Sequence, residues 1–152
     1  MSEPSVQTLQ AASNEEAAAS RQKQQQQDFL VQYVVIRKDL WTSKELGWPL
    51  GSVVAQACHA SSAAMWMFRD EEDTHKYLAP ENIDHMRKVV LEVKDEAALR
   101  KLSAALTAAG VGHKLWVEQP EDFPTCLATR PLPRSAVAAH FKKFQLSKAP
   151  IG

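Results

Sequence analysis

Cysteine is nearly absent: Cys58 and Cys126 are the only two in 152 residues, and neither belongs to a C-x-x-C pair. That excludes a disulfide scaffold, and the expectation is two reduced, buried thiols. Cys58 and His59 are adjacent, so they point to different faces of any helix, and no zinc-type spacing occurs; no metal is expected. Glycine-rich phosphate loops are missing as well. Neither G-x-G-x-x-G nor G-x-x-x-x-G-K-[ST] is present, so no nucleotide cofactor is expected. No apolar run approaches the roughly 20 residues of a membrane span. The N-terminus has no apolar core of the kind a signal peptide carries, and the expected location is cytoplasmic. Net charge is also lacking, with 18 basic against 18 acidic residues.

What remains is ordinary globular composition, 45% hydrophobic and 24% charged, at a length suited to one domain. The charge is unevenly spread. Residues 1–28 carry Glu3, Glu15, Glu16 and Asp28 against Arg21 and Lys23, whereas after Asp122 come Arg130, Arg134, Lys142, Lys143 and Lys148 with no acid to offset them. The C-terminal end is a local basic zone, suited to a polyanion or simply solvated. Residues 1–27 are rich in Ala, Ser, Gln and Glu and lack aromatic residues, so they cannot offset the entropy of ordering. Residues 1–28 are expected to form a disordered tail, and 29–148 the folded domain.

Within that domain, Phe29 to Ile36 runs almost continuously apolar, as does a strand buried on both faces. Ser52 to about Phe68 reads as an Ala-rich helix with Val54, Ala57, Cys58, Ser61 and Met65 on its inner stripe, and a short helix ends near Tyr77. Met86 to Val93 is the second strand. Asp95 can cap a helix that ends at Gly110. His113–Val117 and Thr125–Thr129 are two more strands, and Pro133 opens a last helix striped by Val137, Phe141 and Phe144. The order predicts an α/β fold: a single three-layer domain, with a mixed, mostly parallel four-stranded sheet and helices on both faces. The short link between the last two strands predicts one antiparallel pair.

Open α/β sheets bind ligands beyond the carboxyl ends of their strands. Arg37, Lys38 and Asp39 lie at that end of strand one. Gly51 and Ser52 open the next helix, whose free N–H groups favour an anion. Ser52, Gln56 and His59 share one face of it by their spacing, and an imidazole there can move a proton near neutral pH. Glu118, Gln119, Glu121 and Asp122 close strand three, where a carboxylate can orient water, and Thr125 starts the next strand. Each feature also has a plainer reading: a capped helix, a structural histidine, a polar loop. Trp41 and Trp48 fall in a loop and are candidates for stacking on a base, while Trp116 reads as core.

The stretch Val35-Ile36-Arg37-Lys38-Asp39-Leu40, followed by Gly51-Ser52-Val53-Val54-Ala55-Gln56-Ala57-Cys58-His59-Ala60, resembles the opening signature of type II peptidyl-tRNA hydrolases. Lys88-Val89-Val90-Leu91 and Asp95-Glu96 resemble their second strand and helix start, and Thr125 to Pro131 their final strand. The likeness runs from Phe29 to Lys148 and is nearest to the divergent subgroup of peptidyl-tRNA hydrolase domain-containing proteins. It implies cofactor-free hydrolysis of the ester between a peptide and the tRNA 3′ ribose, with tRNA as partner. It points to His59 and Thr125, with Glu118 in place of the family carboxylate, for catalysis, and to Arg37, Asp39 and Gln56, with Ser52 at the helix opening, for substrate binding. The basic zone after Asp122 adds Lys142 and Lys143 as candidate contacts to the tRNA backbone. Two departures stand out. Ser52 occupies the place of a lysine that the family uses in catalysis. The loop after strand three lacks the family's Asp-Ala-Gly, leaving Glu118 as the substitute carboxylate. Two functions therefore stay open: a hydrolase, or an RNA-binding protein that kept the fold and lost the chemistry. Monomer and homodimer stay open too.

Overall fold

The computed structural model describes residues 28–148; the expected tail up to Gln27 lies outside the described residues. Asp28 itself is held by the fold. Its Oδ1 accepts from the Ser135 backbone N–H at 2.9 Å and its Oδ2 from the Ser135 hydroxyl at 2.8 Å. These bonds pull its carboxyl below the ordinary carboxylate range. Deleting residues 1–27 but keeping Asp28 should therefore leave folding intact. The expected thermal midpoint lies within about 5 °C of the full chain, and a larger drop would show that the tail packs.

Among the described residues six strands form the sheet, rather than the expected four. They are β1 (Leu30–Arg37), β2 (Lys88–Val93), β3 (His113–Glu118), β4 (Phe123–Thr129), β5 (Leu132–Pro133) and β6 (Gln145–Leu146), in the order β3-β4-β1-β2-β6, with β5 paired to β1. The sheet is mixed, but mostly antiparallel. Among the described residues only β1 and β2 pair in parallel; β1·β4, β1·β5, β2·β6 and β3·β4 are antiparallel. The expectation of a mostly parallel sheet counted helical connections and missed where the chain goes next. After β2 it crosses to the far edge to lay down β3, and the tight return through residues 119–122 inserts β4 between β3 and β1. The hairpin makes β4 antiparallel to β3, and β4 also pairs antiparallel with β1. β3 consequently points the same way as β1, and the ends of both strands face one rim.

The short helices α1 (Asp39–Thr42) and α3 (Glu72–Leu78) flank the long α2 (Leu50–Met67), and α4 (Glu96–Ala108) follows β2. None of the described helices is long and apolar enough to cross a membrane. Helices cover both faces, as expected. Alternation along β1 sends Val34 and Ile36 toward α2, where they pack with Leu40, Val53, Ala60, Ala64, Cys126 and Ala128. Tyr33 and Val35 go to the other face, with Leu91, Val93 and Leu99, Leu102 and Leu106 of α4. Asp95 does cap α4, accepting from Ala98 N at 3.0 Å, and Gly110 ends it at φ +69°.

Two local expectations are corrected. The inner stripe of α2 is Val53, Gln56, Ala60, Ser61 and Ala64, while Val54 is 50% exposed and Cys58 is exposed too. An Ala-rich helix offers several near-equal stripes, and small residues win where the helix lies close on the sheet. Cys126 is buried as expected, and burial pushes its thiol up. The last helix is one α turn, α5 (Arg134–Val137), then a 3-10 turn at Ala138–His140. Val137 and Phe141 are buried, but β6 captures the chain before Phe144 can extend a helix. Lys142 and Lys143 thus stand in a turn, not on a helix.

Candidate functional site

The carboxyl ends of β1 and β3 and the N-terminal turns of α2 converge on one rim of the sheet. The expected site residues separate there into three groups.

Arg37 ends β1 and is only 5% exposed. Its Nε and Nη2 grip both oxygens of Asp39, at 2.8 and 2.7 Å. Its Nη1 donates to Glu96 Oε2 at 3.1 Å and to the Pro124 carbonyl at 2.9 Å, and the guanidinium lies 4.4 Å from the Phe123 ring centroid. The hydrogen bond to Asp39 raises its pKa, with the charges of Asp39 and Glu96 adding to it. Arg37 and Asp39 are brought together, as a fork that ties β1, α1, α4 and β4 into one corner. A guanidinium so engaged is a strut first.

The second group sits under α2. Gln56 is 4% exposed, and its Oε1 accepts from Thr125 Oγ1 at 2.8 Å. The pair depends on an irregularity in β4. Trp116 partners Cys126 but Val117 partners Pro124, so Thr125 is an extra residue in the ladder. A bulge re-aims the side chain it carries, and Thr125 meets the helix that covers Cys126. Gln56 Nε2 has no protein acceptor among the described residues, so its hydrogens are left to solvent on this rim. Ser52 is half-buried one turn earlier, at the end of α2 where no side chain caps the free N–H groups. The rim is open beside it: a Cβ added at Gly51 meets nothing within 4 Å.

One turn beyond Gln56, the exposed His59 ring lies flat on Trp116, with centroids 4.7 Å apart and planes 17° from parallel. The indole Nε1 of Trp116 donates to Glu118 Oε2 at 2.7 Å. Glu118, an indole and an imidazole thus form a continuous chain of contacts along β3 and α2. Trp116, expected in the core, does pack half-buried against the α2-side core, and its face and edge also touch His59 and Glu118. Its place two residues before Glu118 on a strand, hence on the same face, was the available signal.

Lys142 and Lys143 are not part of this arrangement. They lie across the sheet, beside α4, around a depression of 390 Å³ whose lining includes Lys101 and His140. A neighbouring depression carries Lys38, Lys94 and Lys143, with Glu92 as its one carboxylate, 3.9 Å from Lys38. Trp41 and Trp48 are not free stacking platforms, because both pack against the α2-side core. Trp66 is the exposed tryptophan, at 70%.

Comparison with known proteins gives consistent results. The family described as "Peptidyl-tRNA hydrolase PTH2" matches residues 30–147. Two curated relatives, from Mus musculus and Homo sapiens, each bear the name "Putative peptidyl-tRNA hydrolase PTRHD1". Each is 48% identical over 119 residues, covering 78% of this chain and 83% of the relative.

Proposed function

Since the chain belongs to the peptidyl-tRNA hydrolase PTH2 family, we propose that it hydrolyses the ester linking a peptide to the 3′ ribose of tRNA, in the cytoplasm. The observation that carries this reading is the Gln56–Thr125 pair. A nearly buried amide is held by a bulged threonine with its Nε2 unspent, directly below an uncapped helix end. Such donors are suited to the oxygen that becomes negative as water attacks the ester carbonyl. In this reading, His59 takes the proton from the attacking water. The hydroxide adds to the carbonyl carbon, the bond to the ribose oxygen breaks, and the imidazolium returns the proton to that oxygen. Glu118 positions His59 through Trp116 and stabilises its charged form. Single-turnover hydrolysis of purified peptidyl-tRNA tests the proposal: His59→Ala should lower the rate by about 10²-fold or more.

A second reading is favoured by Ser52 and by the engaged carboxylates, Asp39 on Arg37 and Glu118 on Trp116. It is a protein that binds the tRNA without cleaving it. Both readings share a basic RNA-binding surface. Replacing Lys142 and Lys143 with alanine should then flatten the dependence of log K on log salt by about two units, about one per phosphate no longer neutralised. An unchanged slope in a filter-binding titration removes these lysines from the interface.

A further inference from the structure

A groove of 440 Å³ runs along the other flank of α2, toward β2 and away from His59. Its walls are Val34 and Ile36 of β1, Val53, Val54 and Ala57 of α2, and Val90 of β2. Leu50 marks one end and Ser61 the other. Eleven residues of helix separate them, so the groove is about 16 Å long at 1.5 Å per residue. Leu50 is 58% exposed, Val54 50% and Val90 37%, so this apolar surface stands open to water.

Among the described residues one charged side chain lines the groove, Lys88 at the Ser61 end. Its ammonium donates to Gln32 Oε1 and, at 3.1 Å, to Ser61 Oγ, and lies 5.4 Å from the Tyr77 ring centroid. Gln32 is completely buried, and its Nε2 is committed to the Ser61 and Thr129 carbonyls, at 3.2 and 3.0 Å. That fixes Oε1 as the acceptor for Lys88. An ammonium has three donors, and two are met by neutral oxygens. No carboxylate lies within 4.0 Å of Lys88 among the described residues, in contrast to Arg37, Lys38 and Arg130. Burial lowers its pKa accordingly. Lys88 as a residue is exposed, but its ammonium is gathered in by Gln32, Ser61 and the Tyr77 face with no anion beside it. Such a cation, at the end of a long apolar channel, is complementary to one shape of ligand.

We propose that this groove binds a linear aliphatic carboxylate, its head on Lys88 and its chain lying between α2 and β2 toward Leu50. The site is separate from the Gln56–His59 rim and does not depend on hydrolase activity. Cys58 lines the groove and is exposed, whereas Cys126 is buried, so thiol alkylation of the folded protein reports on the groove.

The test is the rate of Cys58 alkylation by iodoacetamide in the full chain, with decanoate kept below its micelle concentration. Decanoate should slow the reaction about tenfold once its free concentration is about ten times its Kd. Decanol, with the same chain and no charge, should bind about tenfold more weakly. Lys88→Met should abolish that difference. Val54→Glu, on the exposed rim, should abolish protection by both compounds at an unchanged thermal midpoint. The wild-type comparison needs no variant to fold. Equal protection by decanoate and decanol would overturn the proposal, as would protection by neither. Stronger protection by a short leucine-terminated peptide would also overturn it and make the groove a peptide site.

Discussion

Ser52→Lys is expected to raise single-turnover hydrolysis of peptidyl-tRNA by about 10²-fold, the scale of gaining one well-placed donor to a developing oxyanion. Position 52 lies on the first turn of α2, four residues before Gln56 and seven before His59, on the face that meets the rim. An ammonium there adds a charged donor one turn from Gln56, on the same helix face. It also stands against the positive end of the helix dipole, so the variant should lose about 0.3–1 kcal/mol of stability. Glu118→Gln belongs in the same experiment. A glutamine can still accept from Trp116 Nε1 and keep the indole in place, but it carries no charge. A lower rate in this variant would assign the work to the carboxylate's charge; an unchanged rate would make Glu118 a mere bracket for Trp116. If both wild type and Ser52→Lys bind tRNA and neither cleaves it, the site lacks more than a lysine. The binding protein would then replace the hydrolase.

Arg37→Ala should destabilise the fold by about 3 kcal/mol, at the lower end of what breaking a buried ion pair costs. The lower end applies because Asp39 and Glu96 keep 24% and 35% of their side-chain surface exposed and can regain water. Alongside the two charge pairs, the substitution removes the bond to the Pro124 carbonyl and the contact with Phe123. For a domain of this size the thermal midpoint should fall by about 10 °C. Arg37→Lys should recover only part of the loss, because a point charge cannot grip both Asp39 oxygens at once. Denaturant unfolding followed by tryptophan fluorescence measures this. The resemblance assigned Arg37 to substrate, and that role predicts the opposite pattern: stability within about 1 kcal/mol of wild type and a raised KM.

How much of the site could be read from the sequence depends on the range of each interaction. Ser52, Gln56 and His59 share one helix, so their spacing alone put them on one face. Arg37 and Asp39 are two residues apart at a strand end, and their proximity was equally plain, but their consequence was not. The fork became a strut because Glu96 and Pro124, distant in sequence, complete it. The Thr125 bond to Gln56 spans 69 residues and rests on a bulge that no periodicity announces. Lys142 and Lys143 were correctly read as exposed, yet the sheet sets them on the face opposite His59.

The sequence by itself determined the α/β class, the single domain, the cap and stop of α4, the family resemblance and the absence of the family's lysine. All of these rest on local patterns: apolar runs, helical spacing, capping residues, one motif. Tertiary structure alone decided the strand order and hence the antiparallel sheet, the stripe α2 buries, the end of the last helix at β6, and the partners of Arg37, Trp116 and Lys88. Strand order is set by which pairings close and bury the most surface across the whole chain. A buried charge takes the partner that the closed fold brings to it. Neither quantity exists until distant segments meet.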